Sequence, residues 1–219
     1  MEKHPLLKHR IINLTGTLTS EKASEVIEQL LLLQAESHEQ QIDLYINCPG
    51  GSVPAGLAVV DAIRLISAPV ATIALGQVAS IAVWVLAAGK NGLRMASPNS
   101  EIILHPMNAD FGDFAQETPT KEPAALGFGP VSDAIQVRVA RSRRARQTAA
   151  TMLASWTGQN ESIILRDIDR DLFMTATEAA AYGLVDKVAG ANRETGRRAG
   201  KVQRGSAIRK PDPASSPVL

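Results

Sequence analysis

Apolar residues recur at two different periods along this chain, and the period changes several times. Helical spacing, with apolar side chains returning every three or four positions, runs through residues 20–36, where Ser20 is the expected N-cap. The same spacing returns in residues 53–67 and, over a longer stretch, at about residues 132–156. Each of these segments predicts a helix that buries one of its faces.

Strand signals separate these helices. Residues 41–47 alternate apolar and polar side chains, and residues 69–76 are apolar at both parities, as expected for a strand covered on both faces. A buried helix is predicted from Ser80 to Ala88, followed by short strands at LRMAS and EIILHP. A short helix is predicted at ESIILRDIDRD. The segment FMTATEAAAYGLVDKV predicts a helix that is capped by Thr175 or Thr177 and ends at Gly183, and then a last strand. Because helices and strands alternate, we predict an α/β fold with a mostly parallel sheet.

Two segments have no period. Residues 108–130 contain three prolines and three glycines, which predicts an exposed insertion or a mobile loop. Residues 190–219 carry seven basic and two acidic residues, and their composition is typical of a disordered basic tail. This tail has a net charge of +5, which leaves −4 for the rest of a chain whose total is +1. We therefore predict one folded domain over residues 1–189.

Composition limits the class of protein. A hydrophobic content of 45% in 219 residues supports a sizeable core, and the net charge of +1 argues against nucleic acid as a partner. The longest apolar run, near residues 78–89, is too short to cross a bilayer, and residues 1–10 lack the apolar stretch of a signal peptide. One cysteine, Cys48, excludes an internal disulfide and suits a reducing compartment. We therefore expect a cytoplasmic protein that does not contact membranes.

Ser80, in GQVASIA, directly precedes an apolar helix and has two interpretations. It is either an ordinary N-cap or a nucleophile. A hydroxyl at a helix start feels the positive end of the helix dipole, and the N–H of Ile81 in the first turn has no helical acceptor. Nearby, Gly50 and Gly51 lie between a strand and a helix, where they form either a simple turn or a turn that exposes backbone N–H groups.

A nucleophilic serine needs a base and an acid. Among the four histidines, His4, His9 and His38 are expected at the surface, whereas His105 ends a buried strand, where a parallel sheet gathers its ligands. A buried structural histidine is the alternative interpretation. Asp167, Asp169 and Asp171 are all candidates for the acid, and spacing does not choose among them. No cluster has metal-ligand spacing, so we expect no metal and no cofactor.

Five segments of the chain together resemble a known family. They are LLKHRIINLTG, QIDLYINCPGGSVPAGLAVVDAI, GQVASIAVWVLAAG, MASPNSEIILHP and TGQNESIILRDIDRDLFMTATEAAAYGLVDKV, in that order. This sequence resembles the proteolytic subunit of the ATP-dependent Clp protease over about residues 6–107 and 157–189. The resemblance implies a ClpP/crotonase-like spiral of ββα units, with a handle helix that projects from residues 108–156.

The resemblance also implies a site. The family's nucleophile falls on Ser80, its base on His105 and its acid on Asp171, so the resemblance implies a serine endopeptidase. The implied oxyanion donors are the backbone N–H groups of Gly51 and Ile81. The family's contact between rings falls on a further residue, Arg170.

Partners are implied in the same way. Subunits of the family form stacked heptameric rings (a tetradecamer), and a Clp-type ATPase feeds them unfolded polypeptides, so ATP is used only by that partner. Self or paralogous subunits are therefore expected partners. At the family's aromatic docking pocket this chain has Asp43, Leu65 and Met95, which predicts weak ATPase docking.

Three other interpretations remain open. A short N-terminal segment and the 66 residues from His105 to Asp171, longer than is usual in the family, suggest a mostly inactive structural or regulatory subunit of a mixed ring. The intact Ser80, His105 and Asp171 argue against it. A phage head-maturation protease would share the motifs and act on scaffold or capsid chains. A crotonase-type acyl-CoA enzyme would share the spiral fold without needing a Ser–His–Asp set.

Overall fold

The computed structural model describes residues 5–106 and 131–190. The insertion predicted at residues 108–130 lies outside these described ranges, and so does the tail predicted at residues 190–219, except for its first residue. The boundary predicted at residue 189 falls one residue before the second range ends.

The described elements follow the predicted alternation. A 3-10 helix, Pro5–His9, comes first. The helices are α1 (Ser20–Glu36), α2 (Val53–Leu65), α3 (Ile81–Ala87), α4 (Val131–Thr157), α5 (Glu161–Asp167) and α6 (Ala176–Tyr182). The strands are β1 (Ile11–Thr15), β2 (Ile42–Cys48), β3 (Val70–Ala79), β4 (Arg94–Ala96), β5 (Glu101–Leu104), β6 (Leu172–Thr175) and β7 (Lys187–Val188). The prediction of an α/β fold is confirmed.

Two helix starts refine the sequence analysis. The prediction that Ser20 is the N-cap of α1 is wrong by one residue, because the side chain of Thr19 accepts the hydrogen bond from the N–H of Lys22 at 3.3 Å. At α6 the cap is Thr175, which exchanges hydrogen bonds with Glu178 in a capping box. Thr175 and Thr177 offer the same hydroxyl oxygen, so only the path of the backbone decides which of them caps the helix.

The sheet branches at β3. Strands β1, β2, β3, β4 and β7 are neighbours in that order, and all these pairs are parallel. Residues 72–74 of β3 pair with β4, whereas residues 77–79 pair in parallel with β5. Strand β6 then pairs antiparallel with β5. The end of β3 therefore lies beside the end of β5 rather than beside β4.

Gly76 and Asn47 mark this branch. Gly76 has a φ of 59°, which favours glycine, and a Cβ there would lie 3.1 Å from the side-chain oxygen of Asn47. That oxygen also accepts the N–H of Gln77 at 3.3 Å, where the pairing of β2 with β3 shifts register. The irregularity turns the last residues of β3 toward their second partner strand.

The core surrounds α3, every residue of which is buried. Its Trp84 donates an indole hydrogen bond to the carbonyl of Ala149 on α4 at 3.1 Å. Helix α2 approaches α3 at Gly56, where a Cβ would lie 2.2 Å from Cγ1 of Ile81. Ile81 is therefore held from one side by a helix that has no side chain at the contact.

An ion pair between the buried Arg94 and the partly exposed Asp186 fastens β4 to the segment before β7. Arg94, 5% exposed, donates to Asp186 at 2.6 Å and to the carbonyl of Trp156 at 2.8 Å. Asp186 also accepts the backbone N–H groups of Gly92 at 2.7 Å and Arg94 at 2.9 Å. This cluster joins the far side of the sheet to the end of α4.

Within the described residues, no helix is both long and apolar enough to cross a membrane.

Candidate active site

Ser80 lies at a strained turn between β3 and α3. Its φ of 54° and ψ of −137° are unusual for a residue with a side chain, and such a backbone costs about 1–3 kcal/mol. It occupies the N-cap position of α3, but its hydroxyl makes no capping hydrogen bond. Capping therefore does not explain this serine. A nucleophilic serine on a sharp strand-to-helix turn has the same kind of strained geometry.

The Gly50–Gly51 turn packs directly on this serine. A Cβ at Gly50 would lie 2.5 Å from Cβ of Ser80, so only glycine fits there. Cys48 contacts the same turn, because its buried thiol lies 3.4 Å from the backbone nitrogen of Gly50 and 3.6 Å from the carbonyl oxygen of the same residue. Burial raises the pKa of this thiol. This contact was not predicted from the sequence, although the position of Cys48 two residues before Gly50 is a signal for it.

The backbone N–H of Gly51 is turned toward the β3 side of the sheet. Leu18 donates to the carbonyl of Gly50 at 2.8 Å and accepts from Ser52 at 2.9 Å, in a parallel bridge centred on Gly51. In such a bridge the central residue's own N–H points away from the partner strand, here away from Leu18. Within the described residues this N–H has no acceptor.

Ile81 provides a second N–H without an acceptor in the described part of the chain. It is the first residue of α3, and the first turn of a helix leaves its N–H groups unpaired. The carbonyl of Ser80 is already used, since it accepts from Val83 at 2.9 Å. Two unpaired backbone donors therefore lie next to Ser80: one belongs to the Gly50–Gly51 turn that packs on it, and the other to the residue that follows it.

His105 directly follows β5, and Ser80 directly follows β3. The two strand ends are joined by the hydrogen bond from the N–H of Ser80 to the carbonyl of Ile103, at 3.1 Å. The imidazole is half-buried, and its Nδ1 lies 2.9 Å from the carbonyl oxygen of Pro106. His9 and His38 are exposed, as predicted, and His4 lies outside the described residues.

Asp171 directly precedes β6. Because Leu104 pairs with Leu172 in the antiparallel register, one further step along both strands brings His105 opposite Asp171. The three residues therefore follow or precede neighbouring strands at one edge of the sheet. Among the described residues, however, no hydrogen bond joins any two of Ser80, His105 and Asp171.

The other two acidic candidates are engaged elsewhere. Asp169 pairs with Arg146 on α4. Asp167, 2% exposed, accepts from Arg170 at 2.8 Å, from Arg166 at 3.1 Å and from Tyr182 at 3.2 Å.

These contacts set the ionisation of the Asp167 cluster. Burial by itself raises the pKa of Asp167, but the hydrogen bonds from Arg166, Arg170 and Tyr182 outweigh it and hold the pKa below its ordinary value. Burial, followed by the nearby Asp167 charge, raises the pKa of Tyr182. Asp167 is therefore an ionised acceptor at neutral pH. Arg170, whose side chain is 56% exposed, is held within its own chain here.

In the described ranges no three His, Cys, Asp or Glu residues are grouped in a way that could hold a metal ion. The arrangement is suited to acyl transfer, since a strained serine and a histidine follow two adjacent strands, a carboxylate precedes the next one, and two unpaired N–H groups lie beside the serine. Comparison with protein families agrees with this chemistry, because residues 2–192 match the Clp protease family. The match spans most of the chain, and the protein therefore belongs to the Clp protease family.

Proposed function

We propose that this chain is a serine endopeptidase subunit that cleaves unfolded proteins and peptides, with Ser80 as nucleophile, His105 as base and Asp171 as acid. The observation that carries the proposal is the strained, uncapped Ser80, which ends β3 beside the unpaired N–H groups of Gly51 and Ile81. Strain at a polar residue persists where function requires it. The family match supports the same chemistry.

The proposed reaction proceeds through an acyl-enzyme. His105 accepts the proton of the Ser80 hydroxyl while the serine oxygen attacks the peptide carbonyl. The oxyanion that forms accepts hydrogen bonds from Gly51 and Ile81. His105 then gives its proton to the leaving amine as the peptide bond breaks, and a water molecule, deprotonated by His105, releases the acyl group.

Asp171 serves the imidazole in this scheme. A carboxylate on Nδ1 holds the tautomer in which Nε2 is free to accept a proton, and it stabilises the imidazolium. In the structure Nδ1 faces the carbonyl of Pro106 instead, so forming the triad requires the imidazole to turn toward Asp171. Catalytic hydrogen bonds often tighten only when substrate is bound.

That same contact favours a second candidate function. A chain whose histidine stays on Pro106 would be a mostly inactive structural or regulatory subunit in a mixed ring. It would bury surface against paralogous subunits without cleaving peptides itself. The two candidate functions differ in whether Ser80 is reactive when the chain is purified without other subunits.

We further propose assembly into stacked heptameric rings that a Clp-type ATPase feeds, in the cytoplasm. Exposed apolar side chains on neighbouring helices support association, because Leu65 on α2 is 82% exposed and Leu31 on α1 is 48% exposed. We propose Arg170 as a contact between rings, and its exposed side chain leaves it accessible. Changing Leu65 to Ser should shift the particle mass measured by light scattering toward smaller assemblies. An unchanged mass would contradict a role for Leu65.

A fluorophosphonate tests the peptidase directly, since it reacts only with an activated serine. The purified chain should gain one adduct by intact mass, peptide mapping should place the adduct on Ser80, and His105→Ala should abolish it. Ser80→Ala is the matched control for labelling elsewhere. If no adduct forms on the chain alone but one forms after a paralogous subunit is added, the mixed-ring function is favoured. No adduct in either case would refute the peptidase.

A further inference from the structure

The turn that leads into Asp171 is held by side chains to which the proposed reaction assigns no role. Asp171 is exposed and makes no hydrogen bond or ion pair with the described residues, so only its backbone fixes its place. That backbone leaves a turn at residues 168–170, between the end of α5 and the start of β6. Whatever fixes this turn therefore fixes Asp171 relative to His105.

Asp167 is at the centre of these contacts. Its carboxylate accepts from Arg170 at 2.8 Å, and because Arg170 lies three residues later, this pair closes the turn on itself. The same carboxylate accepts the hydroxyl of Tyr182 at 3.2 Å, which ties the end of α5 to α6. One buried side chain thus fastens the turn both to itself and to the next helix.

The other contacts of the turn either involve only its first residue or are exposed. Ile168 is buried, and its N–H donates to the carbonyl of Ile164 at 2.9 Å, which extends the end of α5 but fixes only the first residue of the turn. Asp169 accepts two hydrogen bonds from Arg146, but both side chains are well exposed, at 54% and 39%, and contact with solvent weakens this pair relative to the buried Asp167. Removing the Asp167 carboxylate would leave Tyr182 and the two arginines without their buried acceptor. Asp167 therefore has the largest hold on the turn.

We propose that Asp167 is a positioning residue for the peptidase reaction: by holding Arg170 and Tyr182, it sets the turn that places Asp171 opposite His105. The inference rests on the proposed function, in which Asp171 is the acid of the triad. A displacement of a catalytic group by about 1 Å costs on the order of 10²-fold in rate. The effect of Asp167 should therefore appear in kcat rather than in substrate binding.

Asp167→Asn is the first test, because it keeps the size of the side chain but removes its charge and one acceptor oxygen. We expect kcat for a fluorogenic peptide to fall about 10- to 100-fold, with KM nearly unchanged. Asp61→Asn, an exposed position on α2 with no described partner, is the matched control and should behave as the unmodified chain. Unchanged kcat in folded Asp167→Asn would overturn the proposal.

The decisive measurement repeats the substitution in an Asp171→Asn background. A residue that acts only through Asp171 has nothing left to position there, so the double variant should be no slower than Asp171→Asn alone. A residue that merely supports the fold would lower kcat by the same factor in both backgrounds. That additive result would refute a positioning role.

Tyr182→Phe provides a second variant in case Asp167→Asn fails to fold. It removes one hydrogen bond to Asp167 and leaves the ring in place. We expect a several-fold fall in kcat that disappears in the Asp171→Asn background, and a fall that persists there would contradict the proposal.

Fluorophosphonate labelling distinguishes a failure of the peptidase proposal from a failure of the positioning role alone. If Ser80 of the unmodified chain is labelled neither alone nor with a paralogous subunit, the peptidase proposal and the positioning role both fail. If it is labelled and Asp171→Asn slows labelling but Asp167→Asn does not, only the positioning role fails.

Discussion

Gly50 lies so close to Ser80 that a Cβ added to the glycine would be 2.5 Å from Cβ of the serine. The contact joins the turn that carries the Gly51 N–H to the proposed nucleophile. The site is therefore defined by two backbone segments in direct contact, and not only by the three side chains of the triad.

Gly50→Ala should abolish labelling of Ser80 by a fluorophosphonate. The new methyl group would push the serine or the turn away, and the φ of 101° at residue 50 adds backbone strain. Gly158→Ala is the matched control, because it also has a positive φ, 74°, but nothing lies within 4 Å of the added Cβ. Both variants should lose about 1 kcal/mol or more of stability from the backbone, but only Gly50→Ala should lose labelling. Equal labelling of the two variants would contradict the contact.

Ser80→Gly should be more stable than Ser80→Ala, by about 1–2 kcal/mol in the free energy of unfolding. Glycine accepts a φ of 54° without strain, whereas alanine retains the strain. Both variants should lose peptidase activity. Chemical denaturation of the two variants checks the difference. Equal stabilities would show that the turn at residue 80 is not strained.

Asp186→Asn should destabilise the fold by about 3 kcal/mol at neutral pH, because it leaves the buried Arg94 unpaired. Asp169→Asn is the control at an exposed pair and should cost less than about 1 kcal/mol. A cost no greater than that of the control would contradict the structural role of the Arg94–Asp186 pair.

The same pair predicts a pH dependence. Burial by itself raises the pKa of Asp186, but hydrogen bonds from the side chain and backbone of Arg94 outweigh it and lower the pKa below its ordinary value. A carboxyl whose pKa is lowered in the folded state stabilises the fold above its unfolded pKa, about 4, and loses that contribution as the pH falls through the folded pKa. The difference between the unmodified chain and Asp186→Asn should therefore shrink in acid. Urea denaturation from neutral pH into acid measures it, and a constant difference would refute the assignment.

Gly56→Ala should destabilise the fold by about 1–3 kcal/mol, because its Cβ would meet Cγ1 of Ile81 at 2.2 Å. Adding Ile81→Ala removes the atom that clashes, so the double variant should be more stable than the sum of the two single costs predicts. Thermal unfolding of the four chains completes the cycle. Strictly additive costs would mean that the two helices do not meet at this point.

The alternation of periods along the chain was sufficient to predict the α/β fold and most of its elements, but not the 3-10 helix Pro5–His9 or strand β1. Local preferences and burial patterns carry that information, because residues 70–74 of β3 are buried at both parities and this part of the strand is almost entirely apolar. The N-cap of α1 was missed by one residue, since Thr19 and Ser20 offer similar oxygens and only the backbone path distinguishes them. Ser80 and His105 became candidates from sequence because Ser80 directly precedes an apolar helix and His105 ends a buried strand.

The spacing of residues in the sequence could not decide which of Asp167, Asp169 and Asp171 is the acid. Three carboxylates within five residues have the same local chemistry, and their roles diverge only through distant partners: Tyr182 for the first, Arg146 for the second. The branch of β3, which brings the end of β5 beside Ser80, was likewise invisible, because it depends on a register shift between separate strands. The sequence by itself determined the elements and two of the candidate residues, since these follow from local pattern. Only the tertiary structure decided which ends of those elements meet, because pairing and long-range side-chain contacts are properties of the folded chain.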